Sequence, residues 1–236
     1  LEAPFFALPG EATAERWRRE APEGFEFSLP AWQALTHPAS SPSYRRFRPK
    51  LSPARLARLG HFRDNDEVRE AWAACERVAQ ILEPRFLLFR TPASFYPNAD
   101  HLRDMYRFFK RIRRPRALLV WEPRGSGWDD RLVERVCADL GLQHGVDPRE
   151  RASVRGVVRY LRIRRADFKS EAEAARPFGD SELRELLDRC DGAPSYVFLA
   201  TMDMWTDARR FAELADPVRA GWAAARRRSP PRRGGV

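Results

Sequence analysis

Apolar and polar positions along this chain follow two periods, and the changes of period mark out its elements. Phe25-Glu26-Phe27-Ser28-Leu29 repeats every second residue, the pattern of a half-buried strand. The opening residues 1–8, with Phe5 and Phe6, and the runs at 86–89, 117–121, 142–146, 157–163 and 195–199 read as further strands, several of them apolar without interruption. Stretches of helical period lie between them. Residues 11–20 are rich in Glu, Ala and Arg and hold no glycine or proline. Residues 64–82 place Val68, Trp72, Cys75 and Ala79 three or four apart. Asn98 stands as an N-cap before Leu102, Met105, Tyr106, Phe109 and Ile112. Further helices are expected near 129–140, over 180–190 and from about Asp207, the last kinked at Pro217. The Ser- and Pro-rich stretch 36–53 reads as a long loop.

Uninterrupted apolar strands separated by helices predict an α/β protein with a parallel sheet covered on both faces. No strand is followed by G-x-G-x-x-G or G-x-x-x-x-G-K-[ST], which disfavours nucleotide-loop folds and favours a TIM-like (β/α) barrel. Seven strand-like runs fall one short of the roughly eight of a full barrel. The barrel is expected to span 1–216, with 217–236 as the end of the terminal helix and an Arg/Pro-rich flexible tail.

Composition narrows the class. The chain has 236 residues, 43% hydrophobic and 11% aromatic, enough for a sizeable core. No run approaches the roughly 20 apolar residues of a membrane span, and no basic-then-apolar leader opens the chain, so a soluble cytoplasmic protein is expected. Cys75, Cys137 and Cys190 are odd in number and far apart, and read as small apolar residues. The chain opens on Leu1 and its methionines are Met105, Met202 and Met204, which suits a trimmed start or a fragment. The net charge of +10 raises a nucleic-acid or phosphate partner. Only Lys50, Lys110 and Lys169 are lysines, and five arginines after Ala225 supply half of the excess.

In a barrel the working face lies where the strands end, so polar residues there are the candidates for chemistry. Glu122 follows the apolar run 118–121, where a carboxylate can act as general acid/base or as the structural partner of Arg124. His37, between Thr36 and Pro38, is a candidate proton shuttle, and Asp147 closes the 142–146 strand. Arg90, Arg162 and Arg164 also stand at strand ends, and Trp128 is either a stacking surface or a core residue. His144 with Glu122, His37 and Asp147 would make an oxygen/nitrogen metal set, although their spacing is not diagnostic. His61 and His101 read as surface or helix-cap residues. No nucleophile motif such as G-x-S-x-G occurs, and no cofactor is identified. The span 45–63 holds Arg45, Arg46, Arg48, Lys50, Arg55, Arg58 and Arg63 with no acid before Asp64, and Tyr44, Phe47 and Phe62 flank or interrupt them. That pattern fits a solvated loop and helix, or a surface for phosphate or single-stranded nucleic acid.

Several of these segments, in order, resemble the YecE-like family, known as domain of unknown function 72. They are Phe25-Glu26-Phe27, Ala31-Trp32-Gln33, Thr36-His37-Pro38, Ser40-Ser41-Pro42 and Tyr44-Arg45-Arg46; then Thr91-Pro92-Ala93-Ser94-Phe95, Trp121-Glu122-Pro123-Arg124 with Trp128, Val146-Asp147-Pro148, Tyr160 with Arg162, and Tyr196-Val197-Phe198. The resemblance reaches to about residue 215 and implies a TIM-like barrel, distantly similar to sugar-isomerase and endonuclease-type barrels, with no established activity. It also implies that the opening Leu1-Glu2-Ala3-Pro4-Phe5-Phe6 corresponds to the family's second strand, with a glycine-rich first strand and first helix upstream.

The departures from the family pattern fall at strand ends. Pro30 replaces a usual lysine, Arg90 a glutamine, Arg164-Arg165 a His-Gly pair, and Ala200-Thr201 a pair of asparagines. Arginine in place of neutral donors makes the mouth more positive and favours an anionic ligand. The expected function is therefore binding or transformation of a small anionic, sugar- or nucleotide-like ligand. Glu122 would serve as acid/base, His37 and Asp147 would assist, and Arg124, Arg162, Trp128, Arg90 and Arg164 would contact the ligand. The rival expectation is a non-enzymatic or degenerate barrel that binds nucleic acid or another polyanion through Arg45, Arg46, Arg48 and the C-terminal tail. A third is a truncated product with open strand edges.

Overall fold

Side chains that cap helix N-termini set where the long helices begin. The computed structural model describes residues 2–45, 49–164, 177–190, 194–200 and 203–228. The Asn65 side chain accepts a hydrogen bond from Val68 N at 2.9 Å, Asn98 from His101 N at 2.8 Å, and Asp129 from Leu132 N at 2.8 Å. These caps open Asp66–Leu82, Ala99–Arg111 and Asp130–Leu140. The first and third of these helices end on a left-handed residue, Glu83 and Gly141 respectively.

In chain order the elements are α1 (Ala3–Phe6), α2 (Glu11–Glu20), β1 (Ser28–Pro30), α3 (Gln33–Thr36), α4 (Pro53–Leu56), α5 (Asp66–Leu82), β2 (Phe86–Arg90), α6 (Ala99–Arg111), β3 (Leu118–Glu122) and α7 (Asp130–Leu140). There follow β4 (Gln143–Val146), β5 (Arg159–Arg164), α8 (Asp180–Asp188), β6 (Ser195–Ala200) and α9 (Met204–Arg228). The chain divides into two compact units, Leu1–Gly145 with Ser153–Val157, and Val146–Ala152 with Val158–Val236.

In the first unit β1, β2, β3 and β4 pair in sequence, all parallel. The register runs Phe86↔Leu118 through Arg90↔Glu122. Partners in a parallel pair share a face, and successive residues alternate between faces. Leu87, Phe89, Leu119 and Trp121 therefore share one face, where they join the core formed with α5, α6 and α7. That core is strongly aromatic. Phe62 lies 5.3 Å from Phe109 and 5.1 Å from Phe108, and Phe89 lies 4.9 Å from Phe109. Phe86, Leu88 and Val120 alternate onto the opposite face and are also buried.

In the second unit β5 and β6 are parallel, with Tyr160 opposite Tyr196 and Arg162 opposite Phe198. Ile163 and Leu199 pack with Phe178, Leu183 and Leu186, and Phe211 and Leu214 of α9 close the cluster. Asp207 is fully buried and accepts the Phe178 N–H at 2.9 Å.

The sequence-based expectations hold for the α/β class and for the parallel pairing, with three corrections. Among the described residues there are six strands, not seven. The opening segment is the short helix α1, not a strand: Pro4 has no N–H to give a ladder, and Ala7 N bonds back to Ala3 O at 3.2 Å. The strand read at 25–29 pairs only over Ser28–Pro30, and Phe25 is left exposed. Among the described residues no helix is long and apolar enough to cross a membrane.

One turn constrains the first unit more than its length suggests. Gly60, His61 and Phe62 have φ of 83°, 56° and 54°, three left-handed residues in a row. Their N–H groups bond to Ala34 O, Thr36 O and Leu35 O at 2.9, 3.1 and 2.9 Å, which satisfies the carbonyls at the end of α3. A Cβ on Gly60 would lie 2.3 Å from the His37 carbonyl carbon. Gly60→Ala is predicted to destabilise the protein by about 2–4 kcal/mol through this clash and the positive φ, read as a lowered urea midpoint at unchanged slope. A midpoint equal to that of the unmodified chain contradicts the assignment.

Candidate functional site

Arg90 and Glu122 end β2 and β3 on the same rung, two residues beyond Leu88 and Val120. The alternation that buries those apolar side chains carries the guanidinium and the carboxylate to the same face at the carboxyl ends of the strands. The ladder is closed there by Thr91 N donating to Glu122 O at 3.1 Å. Glu122 is 5% exposed, and the Arg124 Nε stands 3.9 Å from its carboxylate. That distance is a loose ion pair, consistent with a loop residue that can also face a ligand.

Arg90 is the centre of the cluster. Its side chain is 11% exposed and donates to the Glu2 carboxylate at 3.1 Å. Its guanidinium carbon sits 3.7 Å from the centroid of the Phe5 ring, a cation–π contact in a partly desolvated setting. The same Phe5 meets the His37 ring edge-on at 4.9 Å. Thr36 Oγ1 lies 2.8 Å from His37 Nδ1, and the Tyr44 hydroxyl donates to the His37 carbonyl at 3.3 Å. Burial chiefly, then the Arg90 charge and then His61, push the His37 pKa down to about 3. The imidazole is therefore neutral across the physiological range, one nitrogen donating and the other accepting.

His61 lies behind this cluster. It is buried, against the expectation of a surface histidine, because the left-handed turn directs it inward. Its Nε2 is 3.2 Å from Ser94 Oγ, and its ring meets that of His101 at 4.7 Å. Burial first, then His101 and Arg63, lower its pKa to about 4. His101, whose backbone N–H bonds to the Asn98 cap, also holds the Tyr96 carbonyl at 2.8 Å through Nδ1.

The remaining predicted residues fall as follows. Trp128 is 2% exposed; it donates to Phe95 O at 2.8 Å, stacks on Phe95 and meets Trp121 edge-on at 4.8 Å, which is a core position. His144 is fully buried in β4 and takes Val154 N on Nδ1 at 3.2 Å. In the second unit Asp147 is buried and clamped by Arg149, whose Nε and Nη2 donate to its two oxygens at 2.9 and 2.5 Å. Arg162 is 3% exposed on β5, on the face it shares with Tyr160. Arg164 occupies the last rung of β5, opposite Ala200. Arg45 is exposed at the end of a 3-10 helix, Pro42–Arg45; Arg46, Arg48, Arg165, Thr201 and the tail from 229 lie outside the described residues. Among the described residues no group of three or more His, Cys, Asp or Glu is placed to hold a metal ion.

The three cysteines are buried, and burial raises the thiol pKa of Cys75 to about 11 and of Cys137 to about 12, so these two are protonated packing residues. Glu2 and Phe5 join the site although the local sequence pattern does not point to them. A strand-like reading of residues 1–8 gave no reason to bring them against Arg90, and only the turn of α1 does so.

Parallel strands with intervening helices and a charged cluster at the strand ends define an α/β protein of the TIM-like kind. The chain belongs to the DUF72 family, described as proteins of unknown function, whose family model matches residues 1–232. It is similar in structure to a DUF72 family protein (TM1631) from Thermotoga maritima, with a TM-score of 0.59 and 15% identity, over 90% of this chain and 82% of that one. A second DUF72 family protein (EF0366), from Enterococcus faecalis, matches with a TM-score of 0.58 and 12% identity over 91% and 82% of the two chains. At such identities the likeness establishes the fold. No curated protein matches.

Both low-pKa histidines bind protons more tightly in the unfolded chain, where the ordinary value is 6.5, than in the fold, where it is about 3 for His37 and about 4 for His61. Their stabilisation is complete above pH 6.5 and is lost progressively as the pH falls toward those values. Thermal unfolding followed from pH 7.5 to 4.5 is expected to show a falling midpoint, with a shallower fall in His37→Gln. An equal slope in the two proteins contradicts a buried neutral His37.

Proposed function

We propose that this protein binds a small molecule bearing an anionic group at the carboxyl ends of β2 and β3. The observation that carries this reading is the Arg90–Glu122 rung, with the Arg90 guanidinium nearly buried over Phe5 and beside a neutral imidazole. A guanidinium held there presents a fixed fork to a carboxylate, phosphate or sulfate. The carboxylate it now meets is that of Glu2, a side chain 46% exposed at the N-cap of α1, so a ligand anion can exchange with it.

The rest of the cluster fits a phosphorylated polyol, a sugar phosphate or a nucleotide, better than a bare ion. Arg124 adds a second cation at the rim. Glu122 accepts hydrogen bonds from hydroxyl groups, and neutral His37 both donates and accepts. If the bound molecule is transformed, Glu122 is the group placed to move a proton, being buried and within reach of a counter-charge.

Isothermal titration calorimetry with inorganic phosphate, a sugar phosphate, a nucleoside monophosphate and the matching neutral sugar tests the reading. The phosphorylated ligands are expected to bind, the neutral sugar not, and Arg90→Gln is expected to weaken binding by about tenfold or more. Arg90→Gln binding as tightly as the unmodified chain, or no heat with any phosphorylated ligand, overturns it.

A further inference from the structure

Between α5 and α6, on the helix layer of the first unit, lies an apolar groove of about 270 Å³. Phe62, Val68, Trp72, Phe108 and Ile112 form its floor. Arg63, Arg69, Arg111 and Arg113 stand on its rim with Asp64 and Glu76. The charges on this rim do not cancel. Asp64 alone faces three guanidiniums: Arg69 at 2.9 Å, Arg111 at 2.8 Å and Arg107 at 3.8 Å. Arg69 has a second carboxylate in Asp66 at 2.6 Å. Arg63 donates to the backbone carbonyls of Ala57 and Leu59 at 2.9 and 2.7 Å and has no ion pair among the described residues. Arg113 is exposed and has no ion pair or hydrogen bond among the described residues. On the groove itself four guanidiniums thus stand against the carboxylates of Asp64 and Glu76.

An excess of guanidiniums around an apolar slot is electrostatically complementary to an acidic partner. We infer that this groove docks an acidic segment of a partner protein, with one apolar side chain seated on the Trp72–Phe108 floor and flanking Asp and Glu residues on the arginine rim. This is the helix-groove mode of recognition, an apolar anchor set in a charged margin. Single-stranded nucleic acid fits less well. The floor rings meet at 5.1 and 5.6 Å with their planes at 41° and 87°, so they form no common flat platform for a base to stack on. The inference is independent of the strand-end site, which none of these floor or rim residues enters.

The test is fluorescence anisotropy of a labelled peptide of about 14 residues, made of Asp, Glu and Ser with a single central Phe. At about 50 mM salt it is expected to bind with a Kd on the order of 10 µM, and more weakly as salt rises. Replacing the central Phe by Ser and, separately, making the exposed substitution Arg113→Glu are each expected to weaken binding about tenfold. Arg90→Gln, outside the groove, is expected to leave it unchanged. Failure of the peptide to bind, equal affinity of the Phe-less peptide, or indifference to Arg113→Glu overturns the proposal. So does tighter binding of a single-stranded oligonucleotide that loses affinity in Arg113→Glu, which would mark a general polyanion surface instead.

Discussion

The parallel register of β2 against β3 is the constraint on which the first unit depends. With Phe86 set opposite Leu118, every second residue is assigned a face for the length of both strands. Leu87, Phe89, Leu119 and Trp121 are sent to the helix layer, each burying a side chain worth about 1.5–3 kcal/mol. A slip of one residue would send Arg90 and Glu122 into that layer and bring Phe89 and Trp121 to the other face. The apolar interior thus fixes the position of the charged pair. The site's geometry is a consequence of packing, with the Thr91 N–H to Glu122 carbonyl bond closing the last rung.

Electrostatics at the strand ends follows from the same burial. A guanidinium that is nearly enclosed keeps its charge, whereas the buried imidazole beside it gives up its proton. The face therefore holds a permanent cation in Arg90 and a neutral partner in His37, with Phe5 lying between them as a shared wall. The aromatic wall offers the cation a quadrupole without neutralising it, and the carboxylate that does pair with it is that of Glu2 at 3.1 Å. Gly60 belongs to this arrangement although it carries no side chain, since only hydrogen at its Cα lets the turn press against the His37 carbonyl.

Much of the framework was legible in the sequence, because it rests on local rules. Asn98 and Asp129 cap the helices expected after them, and the apolar runs at 86–89 and 117–121 became β2 and β3 within one residue. Glu122 and Arg90 were legible as strand-end residues for the same reason. What escaped depends on contacts distant in sequence. Nothing local tells Phe5 to lie under Arg90, and Pro4 makes the segment a helical turn where its phenylalanines suggested a strand. His61 looked exposed because three successive left-handed residues are rare outside glycine, and a pattern-based reading does not anticipate them. Trp128 illustrates the ambiguity of an aromatic residue in a glycine-rich loop: its burial is decided by Phe95 and Trp121, which come from other strands and loops. The clamp of Arg149 on Asp147, two residues apart, is by contrast a local contact of the kind a sequence can suggest.

The proposed role of Arg90 as an anion receptor is tested by following its side-chain Nε–H signal by NMR while inorganic phosphate is added. A saturable shift of the Arg90 signal is expected, with a smaller one for Arg124 and none for Arg149 in its clamp with Asp147. An Arg90 signal that stays fixed while phosphate moves only the exposed arginines of α6 would contradict it.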